Sequence, residues 1–169
     1  EIDIPNQLEK DGVKYPVEGI LSYAFYDADI VSVNIPNSVK NIDRSAFEGV
    51  KKPIDITFSP NSKLRTIPNG AFYYTKIKSI ELPNTIEAID QNAFKYAEIK
   101  SIAIPDSVKK IGWEAFGSSN LEKITFGTNS KLNEIDGYAF SSSRLKEIIL
   151  PETVNRIGVD SFNRTNLKT

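Results

Sequence analysis

The stretch IPDSVKKIGWEAF, residues 104–116, contains every element from which the rest of the chain is built. Its closing Ala-Phe pair recurs at 24–25, 46–47, 71–72, 93–94, 115–116 and 139–140, and Ser161-Phe162 is a seventh copy. Successive phenylalanines of this series are 22, 25, 22, 22, 24 and 22 residues apart. A regular period of this length is typical of a solenoid, in which each repeat forms one coil stacked on the previous one.

The first part of each repeat predicts a short strand. Ile102-Ala103-Ile104 alternates apolar and small residues, as expected for a half-buried strand, and Pro105 follows directly. Because proline cannot donate a ladder hydrogen bond, it ends the strand and introduces a corner. The polar residues after the proline supply the turn.

The second part of each repeat predicts another side and a core residue. Val108 and Ile111 are three residues apart, which suits an extended or 3₁₀-like side better than a long helix. Gly112 then marks another corner. In the Ala115-Phe116 pair, we expect alanine to let the backbone approach closely and phenylalanine to fill the middle of the coil.

Some repeats depart from the common length. The first carries an enlarged loop at Glu9–Pro16, with Asp11-Gly12 as a turn signal. Two others have a longer turn after the strand, at Phe58–Leu64 and Phe126–Leu132. No polar capping unit closes the repeat series, so we expect residues 1–169 to be one solenoid domain cut from a longer array.

Composition excludes several classes of function. The chain has 169 residues, 21 basic against 22 acidic, and neither cysteine nor histidine. Without those two residue types, disulfides, thiolate metal sites, cysteine nucleophiles and the commonest general base are ruled out. The balanced charge argues against nucleic acid as a partner, and no apolar run is long enough to cross a membrane. We therefore expect no enzyme, no catalytic residue, no bound metal and no cofactor.

The repeat pattern L-x-x-I-x-L/I-P-x-x-V-x-x-I-x-x-x-A-F resembles the BspA-type leucine-rich repeat of bacterial surface proteins, over essentially the whole chain. The resemblance implies a right-handed leucine-rich-repeat solenoid of about seven coils of 22–25 residues. Short strands would form its concave face, with turns or short 3₁₀ segments elsewhere. The family often has cysteine three residues after the phenylalanine, whereas this chain has small residues there: Ala28, Val50, Thr75, Ala97, Ser119, Ser143 and Thr165.

The resemblance also implies a secreted or cell-surface protein used for adhesion or recognition. We expect it to bind a protein or glycan of a host or neighbouring cell non-covalently, through a surface presented by the repeats. The alternative is a passive stalk that spaces another domain from the cell surface. The sequence does not indicate the oligomeric state.

The strand face is one candidate binding surface. Its central outward-facing column contains the candidate residues Asn34, Thr57, Glu81, Thr125 and Ile149. These positions predict a fairly flat platform for a protein or glycan. The same residues are equally compatible with an ordinary solvated strand surface, where Ser and Thr suit the sheet.

Aromatic residues outside the repeat pattern form the other candidate surface. Tyr26, Tyr73, Tyr74 and Tyr96 follow a repeat phenylalanine by one or two positions, so we expect them along one edge of the rod. Exposed tyrosines favour recognition, although tyrosines also commonly cover the rim of a core. Trp113 has no counterpart in the other repeats. It is a binding hot-spot candidate if exposed and inert if packed on the neighbouring coil.

Overall fold

The chain forms a helix-free β-solenoid. The computed structural model describes residues 2–168, apart from the side chain of Lys78, so the ends of the predicted domain, Glu1 and Thr169, lie outside the described residues. Within that range the chain forms fifteen short strands and no helix, hence no helix able to cross a membrane. The coils complete about six turns, close to the predicted seven.

The first strand of each repeat contributes to one parallel column, as predicted. Most of these strands pair with the equivalent strand of the next coil, although Ile77–Ile80 and Ser101–Ile104 belong to separate sheets, and alternate side chains face the interior. In sequence order these strands are β1 (Ile2–Asp3), β5 (Ser32–Ile35), β7 (Ile54–Phe58), β9 (Ile77–Ile80), β11 (Ser101–Ile104) and β13 (Lys123–Phe126). In the seventh repeat this strand is reduced to a single bridge between Lys123 and Glu147.

A second column of parallel strands runs along another side of the rod. Each strand has only two residues, and the second is isoleucine in all seven; these isoleucines are buried except Ile157 of the last strand, which is exposed. The strands are β4 (Gly19–Ile20), β6 (Asn41–Ile42), β8 (Thr66–Ile67), β10 (Ala88–Ile89), β12 (Lys110–Ile111), β14 (Glu134–Ile135) and β15 (Arg156–Ile157). Of the two predicted forms of this side, extended or 3₁₀-like, the chain adopts the extended one.

The third side consists of turns that require left-handed backbone at two positions in every coil. The residue two before each repeat phenylalanine and the residue two after it both have φ between about +51° and +70°. Only two of these fourteen residues are glycine, although the left-handed region disfavours side chains. The first set is Tyr23, Ser45, Gly70, Asn92, Glu114, Tyr138 and Asp160; the second is Asp27, Gly49, Tyr74, Tyr96, Ser118, Ser142 and Arg164.

The core contains a continuous stack of the repeat phenylalanines, which confirms the prediction that these rings fill the coils. Neighbouring rings lie 4.9–5.6 Å apart between centroids and are close to parallel from Phe25 to Phe162. The five inner rings are fully buried, and so are the alanines that precede them. Each of the five inner rings therefore contacts the coils on both sides.

The enlarged first loop is an antiparallel hairpin. Strand β2 (Gln7–Lys10) pairs with β3 (Val13–Pro16), and Asp11-Gly12 forms the two-residue turn with positive φ at both positions. This is the geometry that Asp-Gly favours between hairpin strands. Every residue of the two strands is exposed.

Each of the two longer turns contains the same kind of internal hydrogen bond, from a backbone N–H to the hydroxyl of a serine two residues earlier. In the first, the backbone N–H of Leu64 donates to Ser62 Oγ over 3.4 Å. In the second, the N–H of Leu132 donates to Ser130 Oγ over 3.3 Å. Both serines are buried, so their hydroxyls satisfy a backbone donor that the coil would otherwise leave unpaired.

Ion pairs between coils cover the second strand column. Glu87 lies between Arg65 at 2.9 Å and Lys109 at 2.7 Å, and Lys40 pairs with Glu18 of the preceding coil. These side chains are largely exposed, so the basic residues Lys40, Arg65 and Lys109 are part of a neutralised, solvated surface.

We expect the ion pairs to stabilise the fold mainly above acidic pH. Lys109 and Arg65 lower the pKa of Glu87 below 4.5, and Lys146 does the same for Glu122. Because the folded pKa is the lower one, this stabilisation is present above the unfolded pKa and is lost as pH falls through the folded pKa. The double variant Glu87→Gln/Glu122→Gln should therefore lose less stability than the parent between about pH 5 and pH 3.

Urea unfolding at a series of pH values measures this difference. High salt provides the control, since it screens exposed charges and should bring the two profiles together. Parallel acid profiles at low salt would show that these pairs contribute nothing to folding.

Candidate functional site

The strand-face platform is largely polar. Thr57, Glu81 and Thr125 are exposed, whereas Asn34 is half-buried. Thr57 Oγ1 donates to Asn34 Oδ1 over 3.2 Å, and Asn34 Nδ2 donates to Ser59 Oγ over 3.4 Å, so Asn34 serves cross-coil contacts. Ile149 is 89% exposed and lies in the seventh repeat, where the first strand is reduced to a single bridge.

Three of the four predicted tyrosines meet in one cluster on the turn side. Tyr74 stacks on Tyr96 with ring centroids 4.6 Å apart, and Tyr73 meets both rings edge-on at 5.1 and 5.6 Å. Tyr74 and Tyr96 are exposed, and Tyr73 is half-buried beneath them. We call Tyr73, Tyr74 and Tyr96 the tyrosine cluster.

A charged pair supports the cluster from the next coil. Lys95 Nζ lies 2.7 Å from Glu114 Oε1, and both side chains are mostly covered. The same ammonium lies 5.4 Å from the centre of the Tyr96 ring. Burial raises the pKa of Tyr73, with the positive charge of Lys95 acting in the opposite direction. The rings are thus held in one arrangement by contacts on two sides.

The backbone beneath the cluster is unfavourable for tyrosine. Tyr74 has φ +56° and Tyr96 has φ +60°, in the left-handed region. At the equivalent position the other coils use Asp27, Gly49, Ser118, Ser142 and Arg164, and all of these except Arg164 are smaller or tolerate this backbone better than tyrosine. Because two bulky rings occupy strained, exposed positions, neither backbone preference nor core packing accounts for them.

Tyr26 belongs to a separate pair. Its ring meets Tyr23 at 5.8 Å, and the Arg44 guanidinium lies 5.9 Å from the Tyr23 ring centre. The prediction that four tyrosines line one edge is therefore refined: they share the turn side but form two groups.

Trp113 is both packed and exposed. Its indole lies 5.0 Å from the Tyr138 ring, and 39% of the residue remains accessible. Sequence reasoning did not single out Tyr138 or Tyr23. Both lie two residues before a repeat phenylalanine, at a left-handed position of the turn side. That recurrent spacing was the signal that could have identified them.

Comparison with known proteins identifies the family. Six copies of the BspA type leucine-rich repeat region match, over residues 18–131 and 65–169. The chain belongs to the BspA-type leucine-rich-repeat family. Proteins built from such repeats are generally binding modules without enzymatic activity, and membership indicates a surface interaction module. Among functionally curated proteins none matches significantly.

Solved structures of bacterial leucine-rich-repeat proteins share the fold. A leucine-rich cell surface protein of Faecalibacterium prausnitzii superposes with a TM-score of 0.78 at 24% identity, covering 98% of this chain and 47% of that one. The pneumococcal vaccine antigen PcpA gives 0.63 at 28% identity, covering 98% and 38%. A Bacteroides ovatus leucine-rich-repeat protein gives 0.67 at 23%, covering 93% and 53%. The chain thus spans about half the length of these proteins, or less.

Proposed function

We propose that this BspA-type chain is an extracellular recognition or adhesion module that binds a protein on a host or neighbouring cell through the tyrosine cluster. The observation that carries the proposal is the pair of exposed rings, Tyr74 and Tyr96, held at left-handed backbone positions where they benefit folding little. Tyrosine offers a large contact area at a low cost in side-chain entropy, which suits a protein interface.

The rigidity of the cluster supports the same conclusion. Its rings are fixed by mutual stacking and by the Lys95–Glu114 pair, on a backbone tied to the coils on both sides. A surface that is ordered before binding loses little entropy when a partner arrives. Binding would require neither a cofactor nor a covalent step.

A cell-surface or secreted location is part of this proposal. The F. prausnitzii relative is described as a cell surface protein and PcpA as a vaccine antigen. Both share the fold over 98% of this chain.

The strand face favours a second candidate function, a passive spacer. Its outward residues are mainly small or charged. Polar side chains of neighbouring coils hydrogen-bond to one another there, as Thr57 does to Asn34. A spacer would leave the tyrosine cluster without a partner, so the two functions give opposite results in one experiment.

The experiment compares binding by the parent with binding by the triple variant Tyr73→Ala/Tyr74→Ala/Tyr96→Ala on an array of purified host extracellular proteins. We expect the parent to bind one or a few proteins and the triple variant to lose at least about tenfold in affinity, while a circular dichroism spectrum like that of the parent shows that its coils remain folded.

The matched control, Ser118→Ala/Ser142→Ala, changes left-handed positions of later coils. It should bind as the parent does. Absence of any bound protein would favour the spacer, and full binding by the triple variant would exclude the tyrosine cluster as the interface.

A further inference from the structure

A shallow cleft of about 340 Å³ lies on the N-terminal side of Trp113, away from the tyrosine cluster. It spans four coils where the second strand column meets the turn side. Its lining is polar apart from the indole and one glycine: Asn69, Asp90, Gln91, Lys110, Gly112, Trp113 and Asp136. The volume is at the small end of the range for ligand pockets, enough for one small ring.

The indole that forms one wall is held in place by the following coil. A Cβ atom on Gly137 would come within 2.6 Å of Trp113 Cζ3, so the indole lies directly on the glycine backbone. Tyr138 contacts the indole from the side at 5.0 Å. Trp113 is therefore preorganised while 39% of it remains open to a ligand.

The other walls carry planar hydrogen-bonding groups. Asn69 and Gln91 are exposed amides, able to donate and accept at once. Asp90 is half-buried, and burial raises the pKa of its carboxyl group while the charge of Lys110 opposes the shift. Lys110 itself is bound to Glu134 at 3.2 Å and Asp136 at 3.3 Å. Asn69, Asp90, Gln91 and Lys110 thus line the same cleft as the indole.

We propose that this cleft is a carbohydrate subsite, which binds one neutral pyranose ring with the sugar's C–H face against Trp113. The amides of Asn69 and Gln91 and the carboxylates of Asp90 and Asp136 bind its hydroxyl groups. Hydroxyls both donate and accept, which matches a set of amides beside carboxylates. The site differs from the tyrosine cluster in position and in ligand, so it does not depend on the protein-binding proposal.

The lining favours a neutral sugar over other ligands. A peptide hot spot around tryptophan needs further apolar side chains to exclude water, and this cleft has one aromatic residue among polar neighbours. Glu134, outside the lining, is paired with both Lys110 and Arg156, so the lining itself has two carboxylates, Asp90 and Asp136, beside the single ammonium of Lys110. The excess negative charge disfavours acidic sugars such as sialic or uronic acids.

Intrinsic fluorescence gives a direct test, because Trp113 is the sole tryptophan of the chain. The probes are maltotriose, cellotriose, mannotriose and chitotriose, each titrated to about 10 mM, with 3′-sialyllactose as an acidic comparison. We expect at least one neutral probe to shift or quench the emission with a dissociation constant of about 1 mM, and the acidic probe to act more weakly. No change with any neutral probe overturns the proposal.

Variants at exposed positions separate binding from folding. Asn69→Ala/Gln91→Ala keeps the fluorescent reporter and should weaken the active probe at least about tenfold, since two direct hydrogen-bonding groups are lost. Trp113→Ala, followed by calorimetric titration, should abolish the binding heat. The tyrosine-cluster triple variant should bind the sugar as the parent does. Unchanged sugar affinity in Asn69→Ala/Gln91→Ala overturns the assignment of the cleft as a carbohydrate subsite. This conclusion holds whether or not the tyrosine cluster binds a protein.

Discussion

Replacing Phe94 or Phe116 with alanine should lower the free energy of unfolding by about 3–5 kcal/mol. Each ring is fully buried and stacks on a ring of the coil before and of the coil after, at 5.1–5.4 Å between centroids. Removing one ring opens a cavity shared by three coils, and the flanking coils cannot close it without breaking their own strand pairing. Equilibrium unfolding in urea measures the loss.

Phe162→Ala is the matched control for this prediction. Phe162 is only half-buried and stacks on a single neighbour, Phe140, at 5.3 Å. Its loss should therefore cost clearly less than the loss of an inner ring. If the inner and outer variants were equally destabilised, the phenylalanine stack would not be the common core of the coils.

Gly112→Ala should also be strongly destabilising, by about 1–3 kcal/mol. A Cβ atom at this position would come within 2.8 Å of the Asp90 carbonyl carbon and 2.9 Å of the Gln91 backbone nitrogen. Because both atoms belong to the backbone of the preceding coil, relief requires the coils to move apart. The lost strand pairing between β10 and β12 would accompany that movement.

Gly19→Ala provides the comparison, since Gly19 stands one residue before the inward isoleucine of its own short strand. The nearest atom to its added Cβ would be Asn41 O at 3.7 Å, an ordinary contact. We expect little change or a small gain from reduced freedom of the unfolded chain. Thermal unfolding of both variants tests this difference. Equal melting temperatures would mean that a Cβ atom at Gly112 does not force the coils apart.

The repeat made the architecture predictable. The same residue pattern surrounds each of the seven phenylalanines. The strand, corner and core residue identified in Ile104–Phe116 could therefore be assigned in the other coils as well. The structure confirms the solenoid, the first strand column and the burial of the five inner Ala-Phe pairs, whereas Ala24 of the first coil is exposed. Because the pattern recurs, errors at single positions have little influence on the fold inferred from it.

Other features could not be read from the repeat. The left-handed positions are occupied by Tyr, Glu, Ser, Asp, Asn and Arg as well as glycine, so composition gives no signal for them. The grouping of tyrosines depends on side-chain directions in adjacent coils, which sequence spacing alone does not specify. The position of Trp113 beside Tyr138 likewise depends on the absence of a side chain at Gly137, whose backbone the indole covers.

The candidate binding residues also differ from the residues that build the fold. Positions shared by all coils build the rod, while Tyr74, Tyr96 and Trp113 break the pattern and remain exposed. The binding roles of these residues and of the strand-face platform stay predictions.

The most direct test of the distinction between residues that build the rod and residues that bind a partner is the urea unfolding of the double variant Tyr74→Asn/Tyr96→Asn. Asparagine tolerates left-handed backbone, so relief of strain at φ +56° and +60° should offset the lost stacking of about 0.5–1.5 kcal/mol. We predict a free energy of unfolding equal to that of the parent or slightly higher. A loss comparable to that of Phe94→Ala would mean that the two rings are part of the folding core, which would contradict the proposed recognition role.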